Sequence, residues 1–258
     1  ESVVPESATA SGVMLLKQDG VISGLDTVAA VFKAVDSAIV WEPSIRDGVR
    51  LKDRDIIGRV SGPARSILTA ERTALNFIQR LSGVATMTST YIEAVRGTKA
   101  RIVDTRKTTP GMRILEKQAV VDGGGSNHRI GLFDGVLIKD NHIAAMGGEG
   151  AIGEIVRQAR QSVPHTVRIE IEVATLTQLS LALEAGADII MLDNMSVEMM
   201  AEAVGIADGR ALLEASGGVN LSTVRAIAGT GVDLISIGAL THSAPSLDIS
   251  LDLAISAT

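Results

Sequence analysis

A chain of 258 residues is long enough to bury a sizeable core, in one barrel-sized domain or in a medium domain and a small one. Hydrophobic residues make up 46% of the chain and aromatic residues only 2%, so the core must be aliphatic and ring stacking is a poor way to hold a ligand. The net charge of −6 and the few aromatic side chains argue against a nucleic-acid groove, which needs a basic surface and stacking platforms.

The composition also bears on the compartment. The chain has no cysteine, which excludes disulfides, thiolate catalysis and cysteine-bound zinc. No apolar run approaches the roughly 20 residues that a membrane helix needs, and residues 1–12 lack the basic and apolar regions of a signal peptide. We therefore expect a soluble cytoplasmic protein that binds neither a membrane nor nucleic acid.

The first 96 residues are typical of a small α+β unit. A helix is predicted over residues 27–35, where apolar side chains recur with helical spacing and Asp26 precedes them as a cap. Gly62-Pro63 predicts a turn, and a long helix should follow from about residue 69 to 95. Strands are predicted at residues 12–17, 20–24, 38–41 and 55–61.

Beyond residue 100, strand-like runs alternate with helical stretches. The last four strands recur about every 20 to 25 residues, which favours repeated βα units and a parallel α/β barrel. A doubly wound sheet is the alternative, but no G-x-G-x-x-G motif follows a strand. Strands are predicted at residues 101–104, 135–139, 168–173, 188–193, 211–216 and 233–238, and helices at 151–161, 177–185, 197–204 and 222–228.

The carboxyl ends of these strands, where a barrel places its active site, are rich in charge. Arg106 and Lys107 follow the first of them, and two adjacent cations at a strand end are typical of an anion site. Glu170 and Glu172 are two residues apart on one strand, so they share a face. Paired carboxylates inside a barrel need cationic or metal partners. Polar loops alone would explain one or two such residues, but not the whole set.

Two glycine turns predict a phosphate site. Ser216-Gly217-Gly218 leads into a predicted helix at Ser222, and Gly238 follows the next strand. Glycines let backbone N–H groups approach a phosphate, and a helix N-terminus adds a favourable dipole. Ordinary βα loops would explain either turn alone, but barrels often bind phosphate after their last two strands.

His128 and Arg129 follow three glycines at 123–125, which predicts a tight, exposed path. A lone histidine is more often a structural hydrogen-bonding residue, but the adjacent arginine favours contact with a substrate. The strand ends together predict a pocket with a cationic side for a highly charged anion and an acidic side for Mg²⁺ bound through oxygen ligands, as a pyrophosphate substrate requires. The cations are Arg106, Lys107, Arg129 and Lys139, and the carboxylates are Glu172 and Asp193.

Motifs along nearly the whole chain closely resemble the quinolinate phosphoribosyltransferase family, the decarboxylating enzymes of NAD synthesis. They occur in the order of the family, and they are ERTALN (71–76), LSGVAT (81–86), DTRKTTPG (104–111), EKQAV (116–120), GGGSNHR (123–129), LIKDNH (137–142), EIEV (170–173), LDN (192–194), EASGG (214–218) and GALTHS (238–243).

The resemblance implies an α/β fold: an incomplete parallel α/β barrel of about seven strands, with an N-terminal α+β open sandwich. The sandwich and a connecting helix would occupy residues 1–96, the barrel residues 97–244, and a segment at 245–258 would pack back on the sandwich. Family members usually begin with a helical segment and an acidic stretch that would lie upstream of residue 1. The family also implies a homodimer in which each sandwich covers the partner's barrel mouth.

The resemblance assigns a role to each candidate residue. The two carboxylates of quinolinate would be bound by Arg106, His128, Arg129 and Lys139, with Thr105 beside them and Arg72 supplied by the neighbouring subunit. The catalytic set, which would serve phosphoribosyl pyrophosphate and its Mg²⁺, is Lys107, Lys139, Glu172 and Asp193, with Glu172 and Asp193 as the metal ligands. The 5′-phosphate would be held by Ser216, Gly217 and Gly238.

Two alternatives remain at this point. A Schiff-base aldolase would use Lys139 at its strand end, but that chemistry needs an uncharged lysine in a largely apolar pocket, and other cations and carboxylates are predicted here. A non-catalytic or divergent paralogue, such as the related molybdenum-transport-associated proteins, would keep the scaffold alone. The complete set of charged residues weighs against the second alternative.

Overall fold

The computed structural model describes residues 3–256, so the ends of the segments 1–12 and 245–258 lie outside the described residues. The chain forms two compact units that interleave along the sequence. The first contains the chain up to Ser89, Thr108–Gly124 and the chain from Ala239 onward, and the second contains Thr90–Lys107 and Gly125–Gly238. The linear division at residues 96 and 244 stays a prediction. No helix among the described residues is long and apolar enough to cross a membrane.

The first unit contains an antiparallel sheet with the strand order β12-β1-β5-β3. Side chains of β1 alternate between exposed and buried positions, as expected for a strand with one face on a core. Met14 and Leu16 lie on that buried face, with Phe32 and Ile57 in the same core. The strands are β1 (Thr9–Leu16), β3 (Val40–Pro43), β5 (Ile56–Pro63) and β12 (Ile249–Ser256), and the short strands β2 (Gly20–Val21) and β4 (Arg50–Leu51) pair separately.

The helices of this unit begin at positions that the sequence predicted poorly. They are α1 (Leu25–Val35), α2 (Ala64–Ala94, most of it in this unit), α3 (Arg113–Asp122) and α9 (Ala239–His242). The predicted turn at Gly62-Pro63 is wrong, because both residues belong to β5, which passes directly into α2. Asp26 is not the cap of α1 but lies in its first turn. Asp47 caps the first turn of α1 instead, since its Oδ1 accepts the N–H of Leu25 at 3.2 Å.

A buried ion pair connects three segments of the first unit. Glu116 on α3 is fully buried, and its Oε1 lies 2.8 Å from Nη2 of Arg80 on α2. Its two oxygens also accept the backbone N–H and the hydroxyl of Thr109, at 2.9 and 2.7 Å. Arg80 donates further to the carbonyl oxygens of Ala244 and Thr241. Glu116 therefore anchors the chain two residues after Lys107.

The second unit contains a parallel sheet with the order β6-β11-β10-β9-β8-β7, which confirms the predicted α/β class. All six strands predicted beyond residue 100 are present. They are β6 (Arg101–Val103), β7 (Val136–Ile138), β8 (Ile169–Val173), β9 (Ile189–Asp193), β10 (Leu212–Ser216) and β11 (Leu234–Ser236). The helices are α4 (Asp140–Ala145), α5 (Ile152–Ser162), α6 (Leu176–Glu184), α7 (Val197–Ala207) and α8 (Val224–Gly229), with a 3₁₀ turn at Glu149–Ala151.

The barrel is incomplete, as expected, because β6 and β7 are not paired with each other within residues 3–256. The sheet has six strands there, one fewer than the seven or so expected. On the open side of β6 a single parallel bridge joins Val103 and Ser126. The glycines at 123–125 precede this bridge, and glycine-rich chain is unfavourable in a strand.

Candidate active site

The carboxyl ends of the parallel strands surround a cavity of about 270 Å³ in the second unit. Parallel strands all deliver their last residues to the same edge of a sheet, which is why residues far apart in sequence meet here. Nine of the twelve predicted site residues line this cavity. They are Thr105, Arg106, Lys107, His128, Arg129, Lys139, Glu172, Asp193 and Ser216.

The loop after β6 supplies part of the cationic side. Its tight turn is held by the hydroxyl of Thr105, which accepts the backbone N–H of Lys107 at 3.1 Å. Arg129, from the loop that precedes β7, donates through Nη1 to the carbonyl oxygen of Gly135 at 3.0 Å. Burial lowers the pKa of Arg129; Glu170 opposes this effect and Arg106 adds to it. Cations held this close together favour an anionic ligand.

Glu172 and Asp193 form the acidic side at the ends of β8 and β9. Nζ of Lys139 lies 3.6 Å from Oε2 of Glu172, and Asp193 accepts from the side chain of Asn194 at 2.9 Å. Burial raises the pKa of Glu172, Lys139 opposes this, and the charge of Asp193 adds to the rise. Two carboxylates that repel each other while facing one cavity suit a divalent cation between them.

A partly buried histidine lies beside two buried glutamates deeper in the sheet. Nε2 of His128 lies 3.1 Å from Oε2 of Glu170 and 3.5 Å from Oε2 of Glu214. Burial opposes a charge on His128, but the hydrogen bond to Glu170 and the charge of Glu214 outweigh burial and raise its pKa. Glu170 and Glu172, which share a strand face, therefore have separate partners, His128 and Lys139.

The orientation of His128 is fixed from both sides. Its backbone N–H donates to Oδ1 of the buried Asp104 at 2.8 Å, and its Nδ1 accepts the backbone N–H of Arg129 at 2.7 Å. An accepting Nδ1 assigns the ring proton to Nε2, which points at the glutamates. His128, Glu170 and Glu214 offer ligand atoms within 4.8 Å of one another. Because Nε2 carries a hydrogen in this arrangement, we assign the group as a hydrogen-bonded cluster rather than a metal site.

The predicted phosphate turn requires glycine at position 217. Gly217 has φ +92°, and a Cβ there would lie 2.1 Å from Oδ1 of Asn194. Asn194 itself has positive φ, and its N–H donates to the carbonyl oxygen of Ser216 at 2.9 Å. The helix expected at Ser222 begins instead at Val224 and spans only six residues. Its predicted dipole is therefore a minor contribution.

Three of the predicted residues do not line the cavity. Gly217 directly follows Ser216, which does, and Gly238 lies two residues after Ser236, which also does. Arg72 is exposed on α2, in the part of that helix that belongs to the first unit.

Sequence reasoning missed Glu214, the middle residue of β10, which lines the cavity beside His128. A lone carboxylate within the apolar run Leu212, Leu213 and Ala215 was the available signal, because a charge inside a buried strand needs a reason.

Two family models match consecutive parts of the chain: the N-terminal domain of quinolinate phosphoribosyl transferase at residues 1–82 and the C-terminal domain at residues 84–252. The probable nicotinate-nucleotide pyrophosphorylase (carboxylating) of Bacillus subtilis is 44% identical over 94% of this chain and 83% of its own length. The Mycobacterium leprae nicotinate-nucleotide pyrophosphorylase (carboxylating) is 45% identical over 98% and 89%. The solved nicotinate-nucleotide pyrophosphorylase of Francisella tularensis is 41% identical, with TM-score 0.94, over 98% of this chain and 89% of that one. This chain belongs to the quinolinate phosphoribosyltransferase family.

Proposed function

We propose that the chain transfers phosphoribosyl from phosphoribosyl pyrophosphate to quinolinate and releases CO₂, giving nicotinate mononucleotide and pyrophosphate in NAD biosynthesis. The observation that carries the proposal is one cavity that combines Arg106, Lys107, Arg129 and Lys139 with Glu172 and Asp193. The ligands of this cavity must carry several negative charges, two of them as carboxylates. A pyridine dicarboxylate and a pyrophosphate together meet both requirements.

The reaction needs orientation and charge neutralisation more than covalent chemistry. Arg106, Arg129 and His128 bind the carboxylates of quinolinate and aim the pyridine nitrogen at C1 of the ribose. Lys107 and Lys139 neutralise the departing pyrophosphate, while the carboxylates of Glu172 and Asp193 stabilise positive charge that develops on the ribose. The pyridinium ring then accepts the electron pair when the 2-carboxylate leaves as CO₂.

Glu172 and Asp193 would hold Mg²⁺, since two carboxylates on one side of a cavity suit a divalent ion that completes its shell with phosphate oxygens and water. When bound, the ion would neutralise the pyrophosphate. Calorimetric titration with Mg²⁺ and pyrophosphate tests this set, because Asp193→Asn should weaken binding of the ion whether or not the variant is active.

The function is tested by incubating the chain with quinolinate, phosphoribosyl pyrophosphate and Mg²⁺, and measuring CO₂ and the mononucleotide. Nicotinate, which lacks the second carboxylate, is the control substrate. We expect product from quinolinate and little from nicotinate. Faster turnover of nicotinate would contradict the assignment of Arg106 and Arg129 to two carboxylates.

We propose that Ser216, Gly217 and Gly238 hold the 5′-phosphate. Gly217→Ala should then raise KM for phosphoribosyl pyrophosphate and lower the free energy of unfolding by about 1–3 kcal/mol, because the new Cβ meets Asn194 and φ is positive. Gly186→Ala is the matched control, since Gly186 has φ +74° and open space around it. Urea unfolding and steady-state kinetics measure both effects. Equal KM values for the two variants would contradict the phosphate assignment.

We also propose a homodimer in which Arg72 completes the neighbouring site. Arg72 is exposed on α2 and so is accessible to a second copy. Mixing inactive Arg72→Ala and Lys139→Ala chains should restore activity, because one of the two sites in a mixed dimer receives both native residues. Each variant alone is the control. A mixture as inactive as its components would mean that Arg72 does not act across subunits. A cytoplasmic location also stays a prediction, which cell fractionation would test.

A further inference from the structure

Glu214 has no task in the mechanism above, although it is costly to keep where it lies. Its side chain is fully buried at the middle of β10. Neither carboxylate oxygen has a hydrogen-bond partner within the described part of the chain, and Nε2 of His128 lies 3.5 Å from Oε2. A buried carboxylate in this state is destabilising when it is charged. Such a cost suggests a contribution to the reaction.

Glu214 and His128 lie between two cavities of the second unit. Both residues line the substrate cavity at the carboxyl ends of the strands and a second cavity of about 310 Å³. The second cavity lies toward the opposite ends of the strands, where it is lined by Arg101, Thr166 and Arg168. Charged side chains form part of its lining, and it is large enough for several water molecules. Water in this cavity would supply protons to Glu214 without crossing the substrate.

The groups around Glu214 and His128 determine where a proton resides. Burial, with a contribution from the charge of Glu170, raises the pKa of Glu214 to about 7. The pKa of His128 is also raised, mainly because Glu170 and Glu214 outweigh its burial, and its ring hydrogen lies on Nε2. The titratable, charged or polar groups that face the pair are Asp104, Arg129 and Glu170, with Ser236 beside Glu214 on β11 and Asp134, Arg101 and Arg168 around the second cavity.

We propose that Glu214 is the proton donor of the decarboxylating step: its carboxyl group gives a proton to the pyridine ring in the substrate cavity and takes one back from the second cavity. This inference rests on the proposed function, because only a reaction that loses a carboxylate leaves a ring carbon that needs a proton. Transfer to nicotinate would need no such delivery.

The step balances in atoms and electrons. The bond between ring carbon 2 and its carboxylate breaks, CO₂ leaves, and the electron pair stays on carbon 2 beside the positive nitrogen. The carboxyl group of Glu214, which lines the substrate cavity, gives its proton to carbon 2, while His128 keeps its proton on Nε2. The carboxylate of Glu214 then takes a proton from water in the second cavity. One proton from solvent is consumed per turnover.

Glu214→Gln is the informative variant, because glutamine has the shape of the protonated acid but cannot pass on a proton. Single-turnover reactions with quinolinate should release pyrophosphate at the native rate, whereas CO₂ and nicotinate mononucleotide should form roughly 100-fold more slowly, the usual contribution of a positioned acid. Glu202→Gln, an exposed change on α7, is the matched control and should behave as the native chain.

The pH dependence gives a second readout that a purely structural role would not change. The negative charge of Glu214 raises the pKa of His128, so Glu214→Gln should lower that pKa. The alkaline limb of the kcat profile, which follows loss of the proton from Glu214, should disappear in the variant, and NMR titration of His128 in the free protein should shift to lower pH. Thermal unfolding and circular dichroism verify that the variant is folded.

Equal slowing of pyrophosphate and CO₂ release, or an alkaline limb and a His128 titration that are unchanged in the variant, would overturn the inference. Native rates in a folded Glu214→Gln variant would overturn it as well. A failure of the proposed function would look different, because the native chain itself would then release no CO₂ from quinolinate. The inference about Glu214 would fall with that result.

Discussion

Alanine in place of Arg106 should lower kcat/KM for quinolinate by roughly 30-fold to several thousand-fold, equivalent to about 2–5 kcal/mol for a charge left without its partner. Arg106 lines the substrate cavity beside Arg129, and each is assigned to the carboxylates of quinolinate. Removing one guanidinium leaves a substrate carboxylate desolvated and unpaired. Steady-state kinetics with quinolinate as the varied substrate measure the loss.

Two further variants make this test specific. Arg106→Lys keeps the charge but loses the planar two-pronged donor, so its activity should be intermediate. Arg157→Ala removes an exposed arginine that pairs with Glu154 on α5, and its kinetics should be native. Near-native turnover of Arg106→Ala would show that the carboxylates are bound elsewhere.

Removing Glu116 should have the largest effect on stability, lowering the free energy of unfolding by about 3–5 kcal/mol in Glu116→Ala. The substitution leaves Arg80 with a largely buried charge and takes away both acceptors of Thr109. Activity should fall more steeply than stability predicts, because Thr109 lies two residues after Lys107 in the loop of cations. Urea unfolding followed by fluorescence and circular dichroism measures the first effect.

Glu93→Ala is the matched control, because Glu93 pairs with Arg96 on an exposed surface. An exposed pair contributes about 0–1 kcal/mol, so this variant should unfold almost as the native chain does. Glu116→Gln separates charge from shape, since the amide oxygen still accepts from Thr109. A Glu116→Ala variant as stable as Glu93→Ala would mean that the buried pair is not a structural anchor.

The parallel strands could be predicted from sequence because each is a short segment rich in Val, Ile or Leu and bounded by turn residues, and this signal is local. The charged strand ends followed from the same signal, so most of the cavity lining could be predicted from the sequence alone. Helix α3 was missed for the opposite reason. Its buried residues include Glu116 and Lys117, which interrupt the apolar pattern. The partner that permits Glu116 there, Arg80, is distant in sequence.

The same physical limit applies to Glu214. Its partner His128 is on another segment, and neither the spacing nor the residue types indicate that the two side chains meet. The cap of α1 was assigned to Asp26 because it is adjacent, whereas Asp47 reaches the helix through space. Local patterns therefore predicted the elements and strand ends well, but not contacts between charged side chains from separate segments.

The pairing of β1 with β12 determines which of the two sheets can fold first during synthesis on the ribosome. Thr9 pairs with Ser256 and Leu16 with Ile249, and Leu247, Ile249 and Leu251 belong to the core of the first unit. That core cannot close until these residues have left the exit tunnel. Every strand of the parallel sheet has emerged by then. We therefore expect the parallel sheet to fold before the antiparallel sheet. Until β12 is synthesised, β1 lacks one of its partner strands and is exposed to chaperones.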